Sequence, residues 1–191
     1  GPPGTGKTTI ATIIAESTQS EFVQLNAVSS GVKDLKAVCE EAARMLKNLG
    51  QKTVLFVDEI HRFNTSQQDA MLPYVESGEI ILIGATTHNP FFSIVSALLS
   101  RSLVFELQAL SEEEILWVLK RAIADLVKGL GAQKIKTEDE ALKFLAKISD
   151  GDARRALNAL ELGIRTTQEE NGAIHLTLKV AEESIQKKSL V

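Results

Sequence analysis

Gly1-Pro2-Pro3-Gly4-Thr5-Gly6-Lys7-Thr8 opens the chain. The stretch matches G-x-x-x-x-G-K-[ST], a loop that cradles phosphate. Gly1, Gly4 and Gly6 let the backbone curl until its N–H groups point inward at phosphate oxygens. Pro2, Pro3 and Thr5 complete the loop. A helix is predicted over Lys7–Ser17, and its N-terminal dipole adds positive potential. Lys7 suits the β- and γ-phosphates as a point charge, and the Thr8 hydroxyl suits Mg²⁺. Thr9, Ile10, Ile13 and Ile14 carry a helical apolar pattern onward. The ligand class is therefore a nucleoside triphosphate with Mg²⁺. Such a loop normally joins a β-strand to a helix. No strand precedes Gly1 and no Met starts the chain, so the reading expects a chain lacking its first strand.

A second motif follows about fifty residues on. Thr53-Val54-Leu55-Phe56-Val57-Asp58-Glu59 is an apolar run ending in acids. It reads as a buried parallel strand whose C-terminal edge faces the ligand. Asp58 is placed to hold Mg²⁺ through water. Glu59 is a candidate general base for the water that attacks the γ-phosphate.

The elements around these motifs alternate. A strand is predicted at Glu21–Leu25, a helix at Val32–Leu49, then the strand 53–57. A helix at about 65–76 and strands at 79–85 and 102–107 follow. Alternation of this kind implies a parallel sheet with flanking helices. The strand missing before Gly1 belongs mid-sheet, between the strands ending at Thr86 and Leu107. Beyond it no strong strand signal remains. Ser111…Glu114 and Thr137…Glu140 fit capping boxes that open amphipathic helices. Asp150 or Asp152 caps a helix through Leu162, and Thr177 a last one. Trp117 is expected in the helical core. Gly129-Leu130-Gly131 and Gln168–Gly172 read as linkers. The fold class is an α/β ATPase core at 1–109 followed by a small all-α lid at 110–191, with ATP between them.

Composition narrows the class. With 44% hydrophobic and 24% charged residues among 191, the chain suits an ordinary globular protein. No apolar run is long enough to span a membrane. The net charge is −4, with 8 basic against 11 acidic residues in 1–110 and 13 against 14 in 111–191. No bulk basic footprint for nucleic acid exists. The single cysteine, Cys39, sits on an apolar helical stripe and reads as a small buried hydrophobe. Histidines 61, 88 and 175 are scattered in the sequence, which offers no zinc cluster.

The two phosphate motifs together resemble an AAA+ ATPase. On that resemblance Thr87, in Gly84-Ala85-Thr86-Thr87, falls on the sensor-1 position. Arg101, in Leu99-Ser100-Arg101-Ser102, is similar to the arginine finger of clamp loaders, which acts on a neighbouring subunit's nucleotide. Arg154, in Gly151-Asp152-Ala153-Arg154-Arg155, resembles sensor 2. More narrowly, Asp58-Glu59-Ile60-His61-Arg62-Phe63-Asn64 with Ser66-Gln67-Gln68-Asp69 resembles the replication-associated recombination protein A family, which includes the Werner-helicase-interacting ATPase. His88 departs from that family's usual Glu, and Ser102 from its usual Cys.

This resemblance implies a DNA-stimulated ATPase acting in replication-fork maintenance, recombination and repair. It implies a homo-oligomer built through the finger, and DNA partners that are forked, gapped or end in single strands. Single-strand-binding protein or other replisome components are further partners. The compartment would be the cytoplasm and nucleoid in a bacterium or the nucleus in a eukaryote. For His61 the resemblance points to the oligomer interface or to DNA coupling, and residue chemistry equally allows a structural role. Three alternatives stand beside this reading: a clamp-loader subunit, a Holliday-junction branch-migration motor and a nucleotide-gated scaffold that does not hydrolyse ATP.

Overall fold

A computed structural model describes residues 1–170 and 172–188, with side chains through Ile185. Asn171 and the last three residues of the expected lid lie outside the described residues. Contacts divide the chain into two units, one of Gly1 and Gly6–Leu107, the other of Pro2–Thr5 and the residues from Gln108 onward.

The first unit is built on three parallel strands, β1 (Glu21–Asn26), β2 (Thr53–Asp58) and β3 (Ile80–Gly84), in the order β1-β2-β3. Thr53 pairs with Glu21 on one side and Ile80 on the other. Every residue of β2 from Thr53 to Val57 is buried, as a central strand covered on both faces requires. Helix α1 (Lys7–Ser17) buries its alanine face, Ala11 and Ala15, and Ala11 clusters with Phe56. Ile10, Ile13 and Ile14 stay exposed, so the apolar pattern of the sequence is not the buried face. Helix α2 (Val32–Leu49) covers the sheet with Leu35, Cys39 and Ala42. It starts where Asp34 Oδ2 accepts from Gly31 N at 2.8 Å and stops at Gly50, whose φ of 66° suits glycine.

Two expectations in this unit need correction. The helix expected at 65–76 is two short ones, α3 (Thr65–Asp69) and α4 (Leu72–Glu76). Pro73 has no N–H to give the Asp69 carbonyl, so the helical ladder breaks between them. Residues 102–107 form no strand. Leu103, Val104 and Phe105 are exposed, and the segment joins no ladder among the described residues. The reason is visible at Gly1. Its nitrogen donates to Thr86 O at 2.9 Å, and a Cβ placed on it would lie 2.6 Å from Leu107 O. Backbone therefore stands between the end of β3 and Leu107, and the two cannot pair directly. Two further short helices, α5 (Pro90–Ser93) and α6 (Ser96–Leu99), lead from β3 to this segment.

The second unit is mostly helical. Helix α7 (Glu112–Ala124) opens with the expected box, Ser111 Oγ accepting from Glu114 N at 3.2 Å and Glu114 Oε2 from Ser111 N at 2.8 Å. Its core residues are Ile115 and Leu119. Trp117 is not core: it is exposed, with the Arg121 guanidinium 5.4 Å from its ring centroid. A small sheet absent from the sequence reading joins β4 (Ile135–Thr137), β5 (Glu169–Glu170) and β6 (Ala173–Leu176) in the order β4-β6-β5. Thr137 pairs with Leu176 in this sheet, so it cannot open helix α8 (Asp139–Ile148). Glu138 Oε2 instead accepts from Leu178 N at 2.9 Å, at the start of α10 (Leu178–Lys188). The segment expected as a linker near 168–172 holds β5 and leads into β6. Helix α9 (Ala153–Thr166) is capped by Asp152, whose Oδ1 accepts from Arg155 N at 3.0 Å. Leu142, Leu145, Leu160 and Ile164 close the core with Ala181 of α10.

Candidate functional site

The loop before α1 has the backbone its glycines promise. Gly4 and Gly6 take φ of 68° and 87°, a region costly to other residues. Gly6 O accepts from Ile10 N at 2.9 Å and starts the helix. The first turn of α1 carries no acid of its own to offset the positive pole of the helix. Lys7 Nζ donates to Gly1 O at 2.9 Å, which lays the side chain back over the loop. Thr8 stands on the same turn, on a helix packed against β2.

Asp58 ends β2 opposite Asn26 of β1. Its Oδ1 accepts from Glu59 N at 3.1 Å. Glu59 then turns the chain with φ 53° and ψ 40°, the left-handed region. An L-residue there is strained by about 1–2 kcal/mol. The turn is over-determined: Ala85 N donates to Val57 O at 2.9 Å and Ile60 N to Ala85 O at 3.0 Å, on either side of Glu59. The acid is thereby aimed off the sheet edge rather than continued along it.

Beside it stand His61, for which the sequence left an interface, DNA-coupling or structural role open, and two residues given no role, Thr86 and His88. Thr86 Oγ1 lies 2.9 Å from His61 Nδ1, and His61 Nδ1 lies 3.4 Å from Glu59 Oε2. His88 stacks on His61 with ring centroids 3.9 Å apart. Burial first, then His88, holds His61's proton affinity below the ordinary histidine value, with Glu59 pulling the other way. A His two residues past an acid, and a His two residues past a Thr at a strand end, were the only sequence signals for this cluster.

Three further candidates take no part in these hydrogen bonds. Thr87 is exposed and its side chain carries no hydrogen bond among the described residues. Arg101 pairs with Glu76 Oε1 at 2.6 Å and donates to Ala97 O at 2.8 Å. Arg154 lies exposed on the first turn of α9 in the second unit. The described residues contain no group of three or more His, Cys, Asp or Glu side chains that could hold a metal. Thr8 and Asp58, the pair expected from the sequence to serve Mg²⁺, offer hard oxygens of the type that cation takes alongside phosphate and water.

Residues 1–109 match the model of the ATPase family associated with various cellular activities, AAA. The chain belongs to the AAA family. Residues 131–191 match the AAA C-terminal domain. The family implies nucleotide binding, usually with Mg²⁺, and ATPase activity in general. The chain is 52% identical over 162 residues to replication-associated recombination protein A of Escherichia coli (strain K12), covering 85% of this chain and 36% of that protein. It is 49% identical over 190 residues to the protein of that name in Bacillus subtilis (strain 168), covering 99% of this chain and 44% of that one. It is 48% identical over 170 residues to ATPase WRNIP1 of Dictyostelium discoideum, covering 89% of this chain and 19% of that one. The chain thus spans less than half the length of these relatives. Solved structures of two Thermotoga maritima RuvB variants superpose with TM-scores of 0.74 and 0.75 at 27% and 28% identity. The match covers 98% of this chain and 59% and 60% of those chains. The AAA fold and the narrower resemblance read from the sequence are both borne out.

Proposed function

We propose that this AAA chain is the ATP-hydrolysing part of a DNA-associated motor that acts in replication-fork maintenance, recombination and repair. The supporting observation is Glu59, held in a left-handed turn beside Asp58 at the end of β2. A strained acid at the sheet edge where α/β folds place their ligands is suited to acting on a bound nucleotide's water. Gly1 through Thr9 would hold the phosphates, with Lys7 toward the β- and γ-oxygens. Thr8 and Asp58 would hold Mg²⁺, which supplies charge neutralisation when bound. Glu59 would take the proton of the attacking water.

The resemblance assigns three further roles. Thr87 would orient that water, Arg154 would contact the γ-phosphate, and Arg101 would reach a neighbouring subunit's site in a homo-oligomer. In this reading 1–109 is the ATPase core and 110–191 the lid. DNA with forks, gaps or single-stranded ends would stimulate turnover, with single-strand-binding protein or other replisome components as partners. Relatives named for replication and recombination support this reading.

ATP turnover of the full-length protein, with and without forked DNA, tests it. Stimulation by the fork and loss of turnover in Glu59→Gln are expected. Hydrolysis indifferent to every DNA tried refutes the DNA partner, and an active Glu59→Gln refutes the base. A second reading, a Holliday-junction branch-migration motor, draws on the stretches Asp58–Arg62 and Gly84–Thr87, and migration of a four-way junction by the full-length protein would favour it.

A further inference from the structure

The turn that carries Glu59 also carries His61, whose ring is nearly sealed from solvent, with 5% of the side chain exposed. Its Nδ1 meets two oxygens, Thr86 Oγ1 at 2.9 Å and Glu59 Oε2 at 3.4 Å. Thr86 Oγ1 in turn accepts from the His88 backbone N–H at 3.0 Å. The His88 ring covers that of His61 at an interplanar angle of 16°.

These contacts set the direction of the hydrogen bonds. A hydroxyl has one proton to donate. The His88 N–H already points into Thr86 Oγ1, and among the described residues the acceptor placed for the hydroxyl proton is His61 Nδ1. The chain runs from His88 N–H through Thr86 O–H to His61 Nδ1. Nδ1 is then an acceptor, and the neutral ring keeps its proton on Nε2. Burial, His88 and Arg62 all favour the uncharged ring, and Glu59 opposes it. The Gly1 nitrogen stands behind, bonded to the Thr86 carbonyl.

A bare Nδ1 offers no hydrogen bond to a carboxylate. The same atom carrying a proton is a charged donor within 3.4 Å of Glu59 Oε2. A small rotation of the carboxylate then makes an ion pair.

We propose that His61, oriented by Thr86 and covered by His88, is a positioning residue that gates Glu59: the neutral ring leaves the carboxylate free for water, and the protonated ring latches it. The proposal rests on Glu59 being the base. It also gives Thr86, rather than its exposed neighbour Thr87, the polar contact closest to the acid pair's turn.

The test uses the full-length protein. ATP turnover is followed between about pH 5.5 and 8.5, and the His61 ring is titrated by NMR. In His88→Glu a carboxylate replaces the covering ring, and the acid limb of turnover should rise by roughly one pH unit. His88 is exposed, so this change leaves the core alone. His61→Asn keeps a polar atom toward Thr86 that cannot be protonated, and its acid limb should fall. Glu59→Gln removes the anion, and the His61 titration should move to lower pH. An acid limb that stays in place in both histidine variants overturns the latch. If Glu59→Gln loses turnover while the His61 titration does not move, the latch fails and the base stands. If Glu59→Gln turns over normally, both fail.

Discussion

Replacing Glu59 with glycine should make the protein more stable while abolishing turnover. Glu59 has φ 53° and ψ 40°, where an L-residue is strained by about 1–2 kcal/mol and glycine is not. Glycine gives back about 0.4–1 kcal/mol through the greater freedom of the unfolded chain. Little else is lost, since a neutral His61 at 3.4 Å makes no ion pair with the acid. The net gain is about 0.5–1 kcal/mol, or about 1–4 °C in Tm for a domain of this size. Glu59→Gln keeps the backbone strain, so it should lose turnover without gaining stability. Gln19, exposed and at φ 51°, supplies the control. Gln19→Gly should gain a similar amount and keep its activity. Denaturant midpoints at an unchanged slope are the assay. A Glu59→Gly protein no more stable than Glu59→Gln, beside a stabilised Gln19→Gly, would refute the idea that the strain is stored at the site.

Cys39 gives a pH signature. Burial, with Glu40 and Glu79 adding to it, pushes its thiol up to about 11 from an ordinary 9.0. The folded state keeps a proton that the unfolded state loses, so this contribution is complete below pH 9 and shrinks as pH rises toward 11. The stability advantage of wild type over Cys39→Ala should fall by about 2 kcal/mol between about pH 8 and 10.5, and a constant advantage in urea melts would contradict it. Arg101→Ala should lower turnover of the assembled protein by about 10³-fold or more with ATP binding kept; undiminished turnover argues against a finger. The pair with Glu76 is half exposed, so Glu76→Gln should change stability by less than about 1 kcal/mol. Phe56→Ala, at a fully buried site, should cost about 3–5 kcal/mol in the same melts.

What the sequence made legible was local. Helices α1 and α2 begin and end where read, because a glycine loop, a Gly31–Asp34 start and a Gly50 stop act within one turn. Strand β2 was legible because a strand buried on both faces is apolar without interruption. Residues 102–107 misled for the complementary reason. Their β-rich composition is a preference, and a strand also needs a partner at ladder distance. The β4–β6 pairing was hidden because its strands are short and nearly forty residues apart in sequence, and Thr137 fits a cap and a strand equally well. Trp117 lies between Leu116 and Val118 on a helix whose turn happens to face it outward.

The same contrast governs the candidate site. Lys7, Thr8, Asp58 and Glu59 each follow from a motif whose chemistry is carried by neighbours in sequence. The contacts that decide what Glu59 is free to do come from the loop after β3, about twenty-five residues away. Of two adjacent threonines there, a family position selects Thr87, whereas the pleat and the turn at Ala85 bring Thr86 to His61. Side-chain direction is a one-residue matter at the end of a strand. A motif can therefore name the acid, but only the register of β2 against β3 can say which hydroxyl and which imidazole surround it. That is why the His61–Thr86–His88 cluster is the place where variants will separate a generic AAA site from the particular one built here.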